Sequence, residues 1–327
     1  MTSDEKAPKT KRPLWQSLVR AGFGVAGVVV LVLLVRSAGK EALLEALTPT
    51  LPWLPALLVL DFLRILADAH ATLLVYGPRG AAIPRMRLMR AQLVANAVTY
   101  LAPAGRTAAE ATKAAMLHRF TSWPEATAAA ALMHALSLFG GAVISVPCII
   151  AAAWILGPGD KITLLIGAQA IGVVGSAFVV RFAARSRGIT DFLGRRFRRV
   201  STAAEDFHRT SVGTSLVPIR PLASISVGRA FQVMQYAILA HAVGVDVTLG
   251  RALLAQGVNM VALAVGVLVP GQLGATDGAF ALAADALSTT MPRALAIALV
   301  AHVLQVIWIV IGSLTPTVWR VRDPVTE

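Results

Sequence analysis

The chain has 327 residues, of which 56% are hydrophobic and 14% charged, and its mean hydropathy is +0.70. These values exclude a water-soluble globular protein. The formal charge of +13 is concentrated in separate basic blocks, which excludes a continuous nucleic-acid-binding face and favours a membrane topology signal. Cys148 is the single cysteine and lies in an apolar segment, so it allows no internal disulfide, and we expect no metal or other cofactor.

Apolar runs predict six membrane spans in chain order. The first, 18–35, follows a basic tail and precedes no small-x-small cleavage site, which indicates a retained span rather than a signal peptide. The others are about 53–76, 126–156, 162–182, 219–243 and 295–318. Basic blocks lie before the first span, after the second, at 181–199 and at the C-terminus. We therefore expect a multi-pass protein of the inner (cytoplasmic) membrane with both termini in the cytoplasm.

Six spans and cytoplasmic basic blocks fix the side of the membrane on which each connection lies. The segments 88–118 and 250–290 must then each begin and end on the same side of the membrane. We predict two re-entrant helical hairpins that enter from opposite sides, because their second arms are short. Two alternatives stay open: each hairpin spans twice, or 88–118 is an ordinary cytoplasmic loop with solvated charges.

Two distant stretches repeat one spacing. A proline stands seven residues before an acid, and a second proline stands ten residues before a histidine. The pairs are Pro103 and Glu110, Pro270 and Asp277, Pro124 and His134, and Pro292 and His302. With the opposite hairpin directions, this predicts an all-α polytopic fold built from inverted-topology repeats, with a substrate site near the membrane midplane.

The repeat also predicts the domain organisation. The units are a cytoplasmic tail 1–13, a first transmembrane half 14–182, a basic connection 183–218, a second half 219–319 and a tail 320–327. Within the connection, apolar residues of 189–209 follow helical spacing among arginines. This favours an amphipathic helix on the anionic leaflet, and a solvated linker is the alternative.

Polar residues within the apolar segments are the candidate site, because ionisable groups at membrane depth are costly and usually face a cavity. The predicted substrate-binding residues are Arg64, Arg106, Glu110, Lys113, Arg229, Asn259, Gln272 and Asp277. Arg229 is preferred for a headgroup, since its own helical turn offers no acid, whereas Arg64 could simply neutralise Asp61 and Asp68. His134 and His302 are candidates for a proton relay or for holding the hairpins, with ordinary packing as the alternative.

Two signature segments carry a family resemblance. The run Gly105-Arg106 to Glu110 and Lys113, and the run 269–279 (VPGQLGATDGA), resemble the lysylphosphatidylglycerol synthase transmembrane-region family. The resemblance covers about 15–319 and implies a flippase-like integral membrane domain, here without the synthase part. This chain has Ala104 and Gln272 where the family usually has glycine, Asp277 where it has glutamate, Lys113 where it has arginine, and two extra residues before Glu110.

Together, these features predict a flippase-like transporter of an anionic or amphipathic lipid, of the phospholipid, aminoacyl-lipid or polyprenyl-phosphate type. A non-catalytic membrane partner of a lipid or glycan transferase and a transporter of a small soluble solute are the alternatives. We expect no catalytic residues. The expected partners are membrane lipids and a separate lipid or glycan synthase, but not nucleic acid.

Overall fold

The structure is a computed structural model that describes residues 29–102, 104–188 and 201–319. Every regular element in these ranges is a helix. The α-helices are α1 (Val29–Ala38), α2 (Lys40–Leu47), α3 (Leu54–Tyr76), α4 (Arg85–Leu101), α5 (Gly105–Leu117), α6 (Trp123–Leu156), α7 (Lys161–Arg185), α8 (Ser201–Val212), α9 (Ile219–Ala242), α10 (Leu249–Val265), α11 (Ala275–Leu282) and α12 (Met291–Val318). The predicted all-α class is confirmed.

Four helical stretches in the described part are long and apolar enough to cross a membrane. They are Lys40–Ala82, Trp123–Leu156, Lys161–Arg185 and Met291–Val318. They contain four of the six predicted spans. The fifth, α9, has 24 residues but is made more polar by Arg229 and its glutamines, and residues 18–28 of the first predicted span lie outside the described residues.

The long spans begin at side chains that satisfy free backbone amides. The Ser122 hydroxyl accepts a hydrogen bond from the Glu125 amide at the start of α6, at 3.3 Å. The Asp160 carboxylate accepts one from the Ile162 amide at the start of α7, at 2.8 Å. The turn 157–160 between these two helices therefore ends one span and caps the next, so that α6 and α7 pack as an antiparallel pair.

The two predicted hairpins are both helical pairs. In the first hairpin, α4 has 17 residues and α5 has 13. In the second hairpin, α10 has 17 residues and α11 has 8. At about 1.5 Å per residue, none of these arms reaches the roughly 30 Å of a bilayer's hydrocarbon core.

Helix packing places the hairpins between the long helices. α3 and α9 lie against each other, where the Ser224 hydroxyl donates to the Ala67 carbonyl at 2.8 Å. The first arm of each hairpin packs on the helix that follows the other hairpin: α4 on α12, and α10 on α6. The largest hydrophobic core joins α2, α9, α10, α11 and α12. The polar residues of the hairpins are thereby held inside the helical bundle.

The connection between the halves is fixed by an arginine of α7. Arg181 is only 1% exposed, and its guanidinium donates to the carbonyls of Leu216 and Ser215 at 3.1 and 2.7 Å. It also donates to the Thr214 hydroxyl at 2.6 Å. In the predicted amphipathic segment 189–209, residues 189–200 lie outside the described residues. The remainder belongs to α8, which packs on α6.

Candidate functional site

The first hairpin is joined to α3 by buried ion pairs. Arg106, at the start of α5, donates from Nη1 to Oδ2 of Asp68 on α3 at 2.9 Å. The Asp68 side chain is 9% exposed, so this pair is largely removed from water. α5 begins at Gly105, directly after Ala104, and its first turn places Arg106 against α3. The pair therefore fixes the tip of the hairpin against a membrane-spanning helix.

Glu110 lies one helical turn further along α5, between two cations. Its Oε1 is 3.1 Å from Nε of Arg106, and its Oε2 is 2.8 Å from Nζ of Lys113. The Glu110 side chain is 3% exposed. Lys113 also donates to the Thr72 hydroxyl of α3, at 3.2 Å. Each oxygen of the Glu110 carboxylate therefore lies beside a different cationic side chain.

Arg64 forms a second set of contacts on the same face of α3, because residues three and four apart lie above one another. Its Nε donates to Oδ1 of Asp61 at 3.2 Å, and its Nη2 donates to Oδ1 of Asn96 on α4 at 3.4 Å. The other oxygen of Asp61 accepts a hydrogen bond from the indole of Trp308 on α12, at 3.2 Å. Arg64 thus neutralises Asp61 but not Asp68, and the group links α3, α4 and α12.

Arg229 of α9 contacts neutral groups instead of a carboxylate. Its guanidinium donates to Oε1 of Gln232 at 2.9 Å and to the Ser137 hydroxyl of α6 at 3.5 Å. It lies within electrostatic range of Asp68, and also of Arg64 and Arg106. Arg229 therefore faces the same region as the ion pairs, without an acid of its own among the described residues.

These side chains form one polar cluster, defined here by four cations (Arg64, Arg106, Lys113 and Arg229) and three carboxylates (Asp61, Asp68 and Glu110). Four minus three leaves one positive charge in excess. The space beside Glu110 and Lys113 measures about 10 Å³, which is room for about one water molecule. The space around Glu110 is thus nearly closed, and each carboxylate of the cluster is paired with a cation.

The second hairpin has a separate carboxylate. Asp277, in the first turn of α11, is 0% exposed, and its Oδ2 accepts a hydrogen bond from the Gly274 amide at 2.8 Å. The same oxygen is 3.0 Å from Nε2 of His302 on α12. In the described part of the chain Asp277 forms no ion pair with an arginine or lysine. The predicted convergence of Asp277 with the arginines is therefore absent from this closed arrangement.

The remaining predicted residues lie apart from the polar cluster. Asn259 is buried on α10 and forms no hydrogen bond with the cluster among the described residues. Gln272 lies in the turn of the second hairpin, and this turn contacts α4 of the first hairpin. His134 on α6 lies within electrostatic range of Arg106 and Glu110, and its Nδ1 has no partner in the described ranges. The two hairpins therefore meet through the second turn.

Sequence reasoning missed three partners of the cluster: Thr72, Ser137 and Trp308. Thr72 was detectable, because it lies four residues after Asp68 on the same helical face. Ser137 and Trp308 come from distant helices in apolar surroundings, and no spacing relates them to Arg229 or Asp61. The described residues contain no group of three or more His, Cys, Asp or Glu placed to hold a metal ion.

The fold and the buried polar cluster define a helical, multi-pass membrane protein. The family model described as the lysylphosphatidylglycerol synthase TM region matches residues 19–312, and the chain belongs to this family. Comparison with curated proteins and with solved structures gives no significant match. The resemblance of the two signature segments is thereby confirmed over almost the whole chain.

Proposed function

We propose that this protein is a flippase-like transporter, which moves the anionic or amphipathic headgroup of a membrane lipid between leaflets without catalysing a covalent step. The observation that carries the proposal is Arg229. Its half-buried guanidinium lies among membrane helices and faces Gln232 and Ser137, in a cluster with one cation in excess. A cation without a counterion is unfavourable among membrane helices, so an anionic ligand would be favoured beside it.

Lipid phosphate fits the chemistry of this cluster. Arginine binds phosphate through two parallel hydrogen bonds, and three of the four cations are arginines. In the closed arrangement Asp61, Asp68 and Glu110 hold the other three cations in place, which are Arg64, Arg106 and Lys113. An arriving phosphate would replace these carboxylates as a partner, while the acyl chains stay in the bilayer. A separate lipid synthase is the proposed supplier of the substrate.

Inverted repeats are part of the proposal, and the helix contacts support them. If α3 to α6 correspond to α9 to α12, a twofold axis in the membrane plane relates the contact of α4 with α12 to that of α10 with α6. The same axis exchanges α3 with α9, so the contact between these two helices lies on the axis. The short arms of both hairpins favour re-entry rather than crossing. We propose six spans with both termini in the cytoplasm.

Cysteine labelling tests this topology. Single cysteines at Gly159, Thr248 and Ser201, in a Cys148→Ala background, should react with an impermeant maleimide from outside, outside and inside the cell, respectively. The three variants act as controls for one another. In intact cells treated in the same way, positions 159 and 248 must be labelled and position 201 must be protected. Labelling of position 201 from outside would overturn the scheme.

Lipid movement tests the function. Purified protein in vesicles with fluorescent phospholipids or fluorescent isoprenoid phosphates should move lipid faster than empty vesicles do. Arg229→Ala should abolish the movement while the protein remains folded and extractable, and Arg220→Ala, an exposed arginine of the same helix, should leave it unchanged. Binding of lipid without movement by the wild type would contradict transport and favour a non-catalytic partner of a transferase.

A further inference from the structure

The two hairpins compensate their carboxylates differently. Glu110 of the first hairpin lies between Arg106 and Lys113, and arginine and lysine are the residue types that ordinarily carry a positive charge at neutral pH. Asp277 of the second hairpin has His302 at 3.0 Å instead. Histidine changes its charge near neutral pH, so the second carboxylate is compensated only while a proton is bound. The repeat-related positions therefore differ in one property, which is dependence on a proton.

The geometry around His302 favours a ring that carries two protons. Nε2 of the ring faces Oδ2 of Asp277 at 3.0 Å, and Nδ1 faces Oε1 of Gln305 at 3.3 Å. The carboxylate is an acceptor, and the Gln305 amide is oriented with its acceptor oxygen toward the ring. A neutral imidazole has one N–H and satisfies one of them, whereas the imidazolium donates to both. The closed second hairpin thus fits the proton-loaded form of the pair.

Among the described residues, no charged group other than His302 on the helices packed against α11 contacts Asp277. The helices that pack on α11 are α10 and α12. Arg251 of α10 contacts Asp246 and Ser288, and Arg293 of α12 lies beside Gly244. Neither arginine contacts Asp277.

The charged residues of α4 and α2, two helices that pack on α12, also lie away from His302. Arg90 of α4 contacts Pro316, which is about 21 Å along α12 from His302. The charged residues of α2, which are Lys40, Glu41 and Glu45, are exposed. Asp277 is the charged group that acts on His302 among the described residues.

Loss of the proton would leave Asp277 as a buried carboxylate without a counterion. Asp277 is 0% exposed, and its Oδ1 already has no hydrogen-bond partner among the described residues. An uncompensated charge in such a place is strongly unfavourable unless water reaches it. Oδ2 also accepts a hydrogen bond from the Gly274 amide, so the uncompensated charge would destabilise the first turn of α11. Deprotonation therefore favours opening of the second hairpin toward water.

We propose that the pair of Asp277 and His302 is a proton-binding site that couples proton movement to lipid movement. In each cycle the Nε2–H bond breaks and its proton passes to water on the side to which the hairpin has opened. The ring then takes a proton from water on the other side, and the hairpin closes again. This inference rests on the proposed function, because it assigns the ion that drives the same transport.

The charge state of His302 can be measured without transport. Solid-state NMR of the protein with ¹⁵N-labelled histidine, in bilayers at pH 7, should show one doubly protonated ring that His302→Gln removes. His70→Gln, which changes an exposed histidine of α3, should leave this signal in place. A neutral His302 ring in the closed protein would overturn the proposal, whatever the transport assay shows.

Coupling is then measured in vesicles with an imposed pH gradient and with the membrane potential clamped by potassium and valinomycin. With one proton moved per lipid, each pH unit should change the steady-state ratio of lipid between the leaflets about tenfold. Asp277→Asn and His302→Gln should abolish this dependence, and His70→Gln should retain it. Lipid movement that ignores the gradient overturns the coupling but not the transport. Absence of any lipid movement by the wild type overturns the proposed function instead.

Discussion

Two residues in the hairpin turns have backbone conformations that suit glycine. Ala104 has φ 51° and Gln272 has φ 58°, and both stand where the family signature usually has glycine. The left-handed region costs a residue with a Cβ about 1 kcal/mol, a cost that glycine does not carry. This chain therefore departs from the signature at the very positions where the departure strains the backbone.

Substituting glycine should relieve this strain. Ala104→Gly and Gln272→Gly should each raise the free energy of unfolding by about 1 kcal/mol. Thermal unfolding in detergent measures the change. Ala102→Gly is the matched control, because Ala102 has φ −94°, where glycine only adds freedom to the unfolded chain and should stabilise nothing. A lower unfolding temperature for both turn variants would show that their side chains, rather than strain, dominate there.

The ion-pair partner of Asp68 is a feature that the sequence did not predict. Spacing on α3 allowed Arg64 to neutralise both Asp61 and Asp68. In the structure Arg64 contacts Asp61 and Asn96, and Asp68 accepts from Arg106 of the first hairpin instead. The periodicity of one helix predicts which residues share a face. It does not predict which neighbouring helix brings a competing donor.

At the scale of elements, Arg181 connects α7 to the segment that leads into α9. Arg181→Ala should lower the free energy of unfolding by about 3 kcal/mol, because its buried carbonyl partners would lose their donors. Arg185→Ala is the control: Arg185 donates to the Thr214 carbonyl from a more exposed position, so its loss should cost less. Equal losses in thermal unfolding would contradict a special role for Arg181.

Close contact between α4 and α12 depends on a glycine. A Cβ at Gly312 would lie 2.6 Å from Cβ of Ala97 and would also meet the Leu93 carbonyl. Gly312→Ala should therefore push the helices apart and lower the unfolding temperature. Gly172→Ala in α7 is the matched control, since nothing lies within 4 Å of its Cβ and alanine favours a helix by about 1 kcal/mol. The expectation fails if both variants unfold at the same temperature.

At the scale of the whole molecule, hydropathy and helix breakers predicted the helical class, four of the spans and the helical pairs α4–α5 and α10–α11. The cross-packing of α4 on α12 and of α10 on α6 could not be predicted, because it joins segments far apart through apolar and small residues with no distinguishing pattern. Because helix packing was not predictable, the sequence analysis placed all candidate substrate-binding residues in one site. The structure separates it into the polar cluster and the pair of Asp277 and His302.

The proposed transport requires the second hairpin to move against α6, and a crosslink can test that movement. A Cβ at Gly257 on α10 would lie 3.3 Å from Cβ of Cys148 on α6, close to the spacing of a disulfide. It would also lie 2.6 Å from Cδ1 of Ile166 on α7, and the end of this flexible side chain must rotate away to admit the new cysteine. Gly257→Cys should therefore form a disulfide with the native Cys148 under mild oxidation, which loss of both free thiols to a maleimide reagent would show.

The oxidised protein should then lose lipid movement and regain it after reduction, because the bond holds α10 on α6. The same variant with Cys148→Ala has no partner thiol and should transport equally before and after oxidation. Free thiols after oxidation would contradict the contact between α10 and α6. Full transport by the crosslinked protein would contradict movement of the hairpin, and the lipid path would then have to open between other helices.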